Sequence, residues 1–427
     1  MEGVAWFWKF KCEHRLLMFL VKDAIDKAGE QRLVSRKERE GLQGEEEREP
    51  EPTPAYPGLE LSVQAQLAEL LHRAEDIWCG GGPQFRPSDW CGPRTMCQLL
   101  LAAALHLKLL GHSAPRLLRL VARLGREHGG CEEERLVALA ELAAAGDEVD
   151  VEAVLALGRG MKEAKPLRGL AGVTLALVLG RRGNIRGASS ILQEMMELEV
   201  FKQNTIEASL VKSRVLGDLS KLKLHVGYRD VEDQGLVGPL ELAIFSHHSA
   251  KLACRRLDEN VKIPHMQDPS LLWKGPYADS LQLEQVAHLE SLYRTTSSIW
   301  ELRGYAIQGL KMAQENCLAL RTAEQLVSLA SVNLLCEDEA AAEVNLRGAQ
   351  FVLEDVMGSS GSSNKVRILE IEFRLGITHA LTEYNIVYIY YCAMSALYSY
   401  KHVTLIISLI AFVTALKMCV YMAGDHE

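Results

Sequence analysis

Apolar residues recur every three or four positions over most of the chain between residues 59 and 357. One such stretch places Leu99, Leu100, Ala103, Leu107 and Leu110 on a common face. This period is typical of helices that bury one side. Sustained alternation of apolar and polar residues, the pattern of half-buried strands, is absent from the first 357 residues. The sequence therefore predicts an all-α protein.

Short helix-breaking turns divide this helical pattern at a nearly constant interval. The turns are Gly111-His112, Gly146-Asp147, Gly183-Asn184 and Gly217-Asp218, at spacings of 35, 37 and 34 residues. Glycine ends helices readily, and this spacing is typical of tetratricopeptide-like helical hairpins. One hairpin cannot cover its own apolar face, so neighbouring hairpins must stack. The predicted fold is an α-solenoid of such hairpins, an architecture that binds other proteins.

Local signals refine the predicted hairpins. Ser113 is a candidate N-cap for the helix that follows Gly111-His112, and Pro115 falls within the first helical turn of that helix. Asp150 is a candidate N-cap in the second hairpin. A later hairpin is predicted around residues 336–338. Its Ala342, Leu346 and Ala349 stand at the same offsets from their turn as Ala188, Leu192 and Met195 do in the third hairpin.

Changes in composition divide the chain into six segments. They are an amphipathic N-terminal helix (1–28), a charged and Pro-rich linker (29–58), tetratricopeptide-like repeats (59–230), an irregular helical insert (231–297), further tetratricopeptide-like repeats (298–357), and a flexible linker with an apolar tail (358–427). Helices are predicted within the insert at 240–257 and 281–293. Pro239, Pro264, Pro269 and Pro276 are expected to break any longer helix there.

Charge and cysteine content narrow the function classes. The 427-residue chain has a formal net charge of −9 and a pI near 5.9, which argues against direct binding of nucleic acid. Its ten cysteines are scattered and no segment has the pattern of a secretory signal, so the thiols are predicted to be reduced and intracellular. An apolar fraction of 48% excludes wholesale disorder.

The sequence signals for metal ligands and for a phosphate-binding loop are weak. His72, Cys79, Cys91 and Cys97 are close in sequence but lack the paired spacing of zinc sites. The glycine run 80–82 lacks the Lys and Ser/Thr of a phosphate loop. The sequence therefore predicts no metal ligand, no cofactor and no cofactor-binding residue.

Candidate catalytic residues also have simpler explanations. The adjacent His247 and His248 diverge by about 100° on a helix, so a structural or solvent-facing pair is predicted. Cys131, Cys254, Cys317 and Cys336 lie in or beside amphipathic helices, where apolar packing is the expected role. Residues 132–134, three glutamates, are interpreted as solvated charges favourable at a helix start. No catalytic residue is predicted.

The C-terminal tail departs from the repeat pattern. Residues 403–422 form a nearly continuous apolar run of about the length that crosses a bilayer, interrupted by Lys417. Three interpretations stay open: a membrane anchor, a buried helix or strand pair, and translated non-coding sequence, of which the last is favoured because the composition changes abruptly after residue 358.

Two parts of the repeat region resemble a known family. The run Ile299–Glu354, IWELRGYAIQGLKMAQENCLALRTAEQLVSLASVNLLCEDEAAAEVNLRGAQFVLE, is similar to the helical repeats of separase, the large cysteine endopeptidase that cleaves cohesin at anaphase. Residues 191–223, centred on ELEVFKQNTIEASLVKSRVLGD, resemble an earlier part of the same superhelix. Separases carry their catalytic His and Cys in a C-terminal protease domain, which nothing in this sequence matches.

The resemblance implies a regulatory portion of a separase-like protein, from a partial or alternatively spliced gene model. Its expected role is sister chromatid separation in the cytoplasm and nucleus, with a securin-like inhibitor bound along the solenoid and no catalysis by this chain. The alternative is a tail-anchored tetratricopeptide-type adaptor at an intracellular membrane, held there by residues 403–422.

Overall fold

A computed structural model describes Leu20 and ten longer stretches of the chain: residues 69–76, 78–79, 92–160, 166–197, 202–226, 238–261, 270–296, 298–316, 318–336 and 338–359. All regular elements in these stretches are helical, which confirms the all-α prediction for the described residues. The described residues belong to two compact units, one ending at Thr296 and the other beginning at Ser298.

The first unit contains a helical segment at residues 69–79, of which residue 77 is not described, and nine longer helices. They are α1 (Pro93–Leu109), α2 (Pro115–Glu127), α3 (Glu132–Ala145), α4 (Val151–Gly160), α5 (Gly169–Arg181), α6 (Ile185–Glu197), α7 (Ile206–Val226), α8 (Pro239–Val261) and α9 (Leu271–Thr296), with a short 3-10 turn, Pro166–Arg168, before α5. The second unit contains α10 (Ile299–Glu315), α11 (Ala319–Leu335) and α12 (Glu339–Ser359).

Most contacts in the first unit join helices that follow one another in sequence. Helix α1 packs on α2, α2 on α3, α5 on α6, α7 on α8 and α8 on α9. Helix α9 also packs against α1, the first of the nine longer helices. A stack in which each hairpin contacts only its neighbours does not make such a contact. The first unit therefore closes on itself through α9.

Three of the four predicted glycine turns are present. Gly111, Gly146 and Gly183 have φ values of 91°, 99° and 80°, the left-handed conformation that ends a helix. Asp150 caps α4 as predicted, because its Oδ1 accepts the Ala153 N–H at 3.2 Å. The predicted Ser113 cap is wrong: α2 begins at Pro115, and Ala114 precedes it without a side-chain hydrogen bond to the helix.

The predicted turn at Gly217-Asp218 is wrong, because α7 runs unbroken from Ile206 to Val226. Asp218 is held within the helix by Arg214, one turn earlier, whose Nε donates to its Oδ2 at 3.0 Å. Gly217 faces α9, where a Cβ would stand 2.6 Å from the Gln285 amide nitrogen. This glycine permits a close approach of two helices instead of ending one.

The insert is more regular than its prolines suggest. Helices α8 and α9 contain the two predicted helical stretches and extend beyond both. Pro239 begins α8, where its missing N–H costs little. Pro276 lies inside α9, so the expectation that it breaks the helix is wrong. The buried side chains of Trp273 and Tyr277 flank it, and their packing offsets the lost backbone hydrogen bond.

The second unit contains the predicted late hairpin. Helices α11 and α12 pack together on either side of residues 336–338, and α10 packs on α11. Asp338 caps α12 by accepting the Ala341 N–H at 3.1 Å. Ala342, Leu346 and Ala349 are fully buried, as the repeat offsets predict. The run that resembles separase thus folds as three successively packed helices.

Candidate functional site

Five charged side chains, three of them buried, meet between four helices of the first unit. Lys108 on α1 forms 2.6 Å contacts with both Glu141 on α3 and Glu284 on α9. Arg214 on α7 contacts the same two carboxylates at 3.3 Å and 3.5 Å. It also donates to Asp218 at 3.0 Å. These five residues are the buried ion cluster, which joins α1, α3, α7 and α9.

The electrostatics of the buried ion cluster favour its charged state. Burial alone would raise the pKa of Glu284, but Lys108 and Arg214 outweigh burial and hold that pKa well below its usual value. Burial alone would lower the pKa values of Lys108 and Arg214, yet the surrounding carboxylates raise both. Glu284, Lys108 and Arg214 therefore stay ionised near neutral pH.

This charged state suits a structural role. Arg214, Glu141 and Asp218 are buried and pair with one another. Tyr277 is fully buried near the cluster, and burial followed by the charge of Glu141 raises the pKa of its hydroxyl above its usual range. The hydroxyl therefore stays protonated. The cluster fixes how α9 meets α1, α3 and α7.

A second buried charge corrects the interpretation of the glutamates at the start of α3. Glu132 and Glu133 are exposed or half-buried, but Glu134 is fully buried and accepts a hydrogen bond from the Gln98 side chain at 2.9 Å. Burial raises the pKa of Glu134. The expectation that solvation explains all three residues is therefore wrong for Glu134, which links α3 to α1.

Glu134→Gln is expected to stabilise the protein near neutral pH. The amide retains a carbonyl acceptor for Gln98 and removes the cost of burying a charge, so we expect a gain of about 1–2 kcal/mol in the free energy of unfolding. The gain should be smaller at about pH 4 than at about pH 7, because the pKa of the Glu134 carboxyl is raised and acid protonates the wild-type side chain. Urea denaturation at both pH values measures it. Glu133→Gln is the control, and an equal gain there would contradict the assignment.

The residues considered as metal ligands are placed as follows. His72 lies beside His112, with 3.1 Å between Nε2 and Nδ1, and its Nδ1 is 3.6 Å from Glu75. Cys79 is half-buried, and burial, followed by the charge of Glu75, raises the pKa of its thiol to about 11. Cys97 is buried within α1.

Cys91 and the glycine run 80–82 lie outside the described residues. Among the described residues, no group of three or more His, Cys, Asp or Glu has metal-binding geometry.

The histidine pair and the remaining described cysteines differ in burial. His247 is buried and His248 exposed, with ring centroids 6.1 Å apart, so the two side chains diverge as helical geometry predicts. Cys131 and Cys254 are buried and Cys336 is exposed at the end of α11. Cys317 lies outside the described residues.

A cleft rich in arginine opens between α2, α3 and the loop before α4. Its volume is about 240 Å³. It is lined by four arginines, Arg119, Arg123, Arg126 and Arg135, three acids, Asp147, Glu148 and Asp150, and five apolar residues, Ala122, Leu139, Leu142, Val149 and Ala153. We refer to it as the arginine cleft. Gly125 lets α2 and α3 meet at its edge, since a Cβ there would stand 2.7 Å from that of Arg135.

Sequence reasoning missed both the buried ion cluster and the arginine cleft. Glu141 carries a usable signal, because it falls among Leu139, Ala140, Leu142 and Ala143 in an otherwise apolar helix. The exposed arginines of α2 recur on one face of that helix, which is also readable. Neither signal predicts which side chains these residues contact, since the contacting side chains come from other helices.

Comparison with known proteins leaves the family open. The chain matches no protein-family model, and no curated protein is similar enough to count as a match. Among the described helices, none is both long and apolar enough to cross a membrane. The apolar run at residues 403–422 lies outside the described residues, as do residues 1–28 apart from Leu20.

Proposed function

We propose that this chain is a helical protein-binding scaffold, the regulatory portion of a separase-like protein that acts in sister chromatid separation. The observation that carries the proposal is the pairing of successive helices around the turns at Gly111, Gly146, Gly183 and residues 336–338. This pairing supports tetratricopeptide-like hairpins, with the first unit closed by α9. Proteins built from such hairpins act mainly by binding other proteins.

The surface of the second unit supports the same proposal. Trp300 is 74% exposed and Phe351 is 56% exposed, although both are large apolar residues. Aromatic side chains left exposed are frequent in protein-binding surfaces. The proposed partner is a securin-like inhibitor, and this chain performs no catalysis of its own.

Calorimetric titration of the purified full-length chain with a purified securin tests the proposal. We expect a saturable complex of one chain with one securin. The control titrates a folded protein of similar size and charge in place of securin. Absence of binding at tens of micromolar would overturn the separase-like role.

A tail-anchored adaptor is a second proposal, supported by the apolar run at residues 403–422. It predicts that the full-length chain partitions into detergent and that deletion of 403–422 returns it to the aqueous phase. Aqueous partitioning of the intact chain would overturn it.

A further inference from the structure

We propose that the arginine cleft binds an acidic segment of a partner protein, with side-chain carboxylates seated between α2 and α3. The inference deepens the proposed scaffold function and rests on it. The cleft is a built concavity of about 240 Å³ with both charged and apolar walls. That volume accommodates one or two side chains of an extended peptide.

The first support is an excess of positive charge that the protein leaves unpaired. Within the described part of the chain, Arg123, Arg126 and Arg135 form no ion pair with a carboxylate. The Arg135 Nε is shielded from solvent and has no hydrogen-bond acceptor there. Burial, then the positive charge of Arg126, lowers the pKa of Arg135. A carboxylate in the cleft would offset the repulsion between Arg126 and Arg135.

The acids in the lining cancel this positive charge only in part, because the cleft has four arginines and three acids. Asp147 is held by Arg119 through two hydrogen bonds of 3.0 Å and 2.9 Å. Asp150 accepts the Ala153 N–H that begins α4. Glu148 is exposed. Arg123, Arg126 and Arg135 therefore face two exposed carboxylates, those of Glu148 and Asp150, and the lining keeps one net positive charge.

The Arg119–Asp147 pair also shows the chemistry that the cleft offers. It is a two-pronged contact between a guanidinium group and a carboxylate, a geometry that lysine cannot reproduce. Carboxylates of a partner would meet Arg123, Arg126 and Arg135 in the same way.

The remaining lining favours a peptide over a bare anion. Leu139, Leu142 and Val149 supply an apolar surface on which the methylene groups of glutamate and its neighbours can pack. Glu148 and Asp150 would repel a dense polyanion. Carboxylates spaced along a peptide can bind at the arginines and stay away from these two acids. A phosphate dianion carries both of its charges on one group and cannot be placed in this way.

Fluorescence anisotropy of the full-length chain with a labelled acidic peptide tests the inference. The probe is a fluorescein-tagged peptide of alternating glutamate and serine, and its neutral counterpart alternates glutamine and serine. We expect saturable binding of the acidic probe that weakens with added salt, and no binding of the neutral one. The double variant Arg123→Glu/Arg126→Glu should raise the Kd by about tenfold or more, because two attractions become repulsions.

The matched control is Arg159→Glu/Arg186→Glu. It makes the same change of net charge at exposed arginines of α4 and α6 that do not line the cleft. It should leave the Kd within about twofold of wild type. Both double variants change exposed side chains, and circular dichroism with thermal melting verifies that each is folded. A milder pair, Arg123→Gln/Arg126→Gln, gives the expected intermediate Kd if the charge-reversed variant does not fold.

Three outcomes would overturn the inference. Equal weakening by the two double variants would mean non-specific attraction, and unchanged binding in the cleft variant would place the probe elsewhere. Inorganic phosphate competing at the same concentration as the peptide would identify a simple anion pocket. If securin binds the wild-type chain while the acidic probe does not, the scaffold function stands and only the cleft assignment falls.

Discussion

Arg214→Met should lower the free energy of unfolding by about 3–5 kcal/mol, the usual result of removing one partner from a buried ion pair. The substitution retains most of the side-chain volume but leaves Glu141 and Asp218 buried with less compensation. Lys108 still neutralises Glu141 and Glu284, so the protein should remain folded. Urea denaturation followed by circular dichroism measures the change.

Two further variants make this prediction specific to the buried ion cluster. Arg159→Met removes an exposed arginine of α4 and should change stability by less than about 0.5 kcal/mol. Arg214→Lys keeps the charge but loses the planar fork that reaches three carboxylates, so its stability should fall between wild type and Arg214→Met. Equal stability of Arg214→Met and wild type would show that the cluster does not hold α7 against α3 and α9.

Acidification from about pH 7 to about pH 5 should destabilise the protein through His247 and His288. Burial, together with nearby positive groups, lowers the pKa of each histidine to about 4 from a usual value of 6.5. Between these values the unfolded state binds protons that the folded state does not, so stability falls as the pH falls through this window. The two histidines together should account for about 2–4 kcal/mol.

The surroundings of His288 explain why it resists protonation. Ser220 donates its hydroxyl hydrogen to the Pro239 carbonyl at 2.7 Å, so the His288 Nε2–H donates to the Ser220 oxygen at 2.8 Å. Lys221 lies close enough to oppose a positive charge on the ring. His288→Gln retains a donor that does not titrate.

Urea titrations across this pH range test the assignment. His247→Gln and His288→Gln should each flatten the pH dependence. His248→Gln changes the exposed neighbour and should have a smaller effect, because burial outweighs the charge of His248 in lowering the pKa of His247. The comparison is cleanest in the Glu134→Gln background, because protonation of Glu134 contributes with the opposite sign. A pH dependence that survives replacement of both buried histidines would contradict this account.

Local sequence signals predicted the turns well where local forces decide them. Gly111, Gly146 and Gly183 end helices because glycine adopts left-handed backbone conformations at little cost, a property of the residue itself. Gly217-Asp218 carries the same signal and fails. At Gly217, the close contact with α9 favours a helical residue that has no side chain. Arg214 also binds Asp218 one turn along the same helix. The two outcomes thus differ in the contacts around the glycine and not in the glycine itself.

The buried ion cluster and the arginine cleft could not be predicted from local sequence patterns, for a related reason. Lys108, Glu141, Arg214 and Glu284 come from four helices, and each alone resembles a surface charge. The arginine cleft likewise combines α2, α3 and the loop at residues 147–150. Which charge meets which depends on how the helices pack, and the hydrophobic pattern that drives packing does not encode those pairings.

By itself, the sequence determined that the described chain is all-α and where three glycine turns and the late hairpin fall, since helical periodicity and capping act over a few residues. Only the tertiary structure decided that α9 returns to α1, that Glu134 is buried, and that arginines converge on one cleft. These features depend on contacts between residues far apart in sequence, whose energies exceed local preferences.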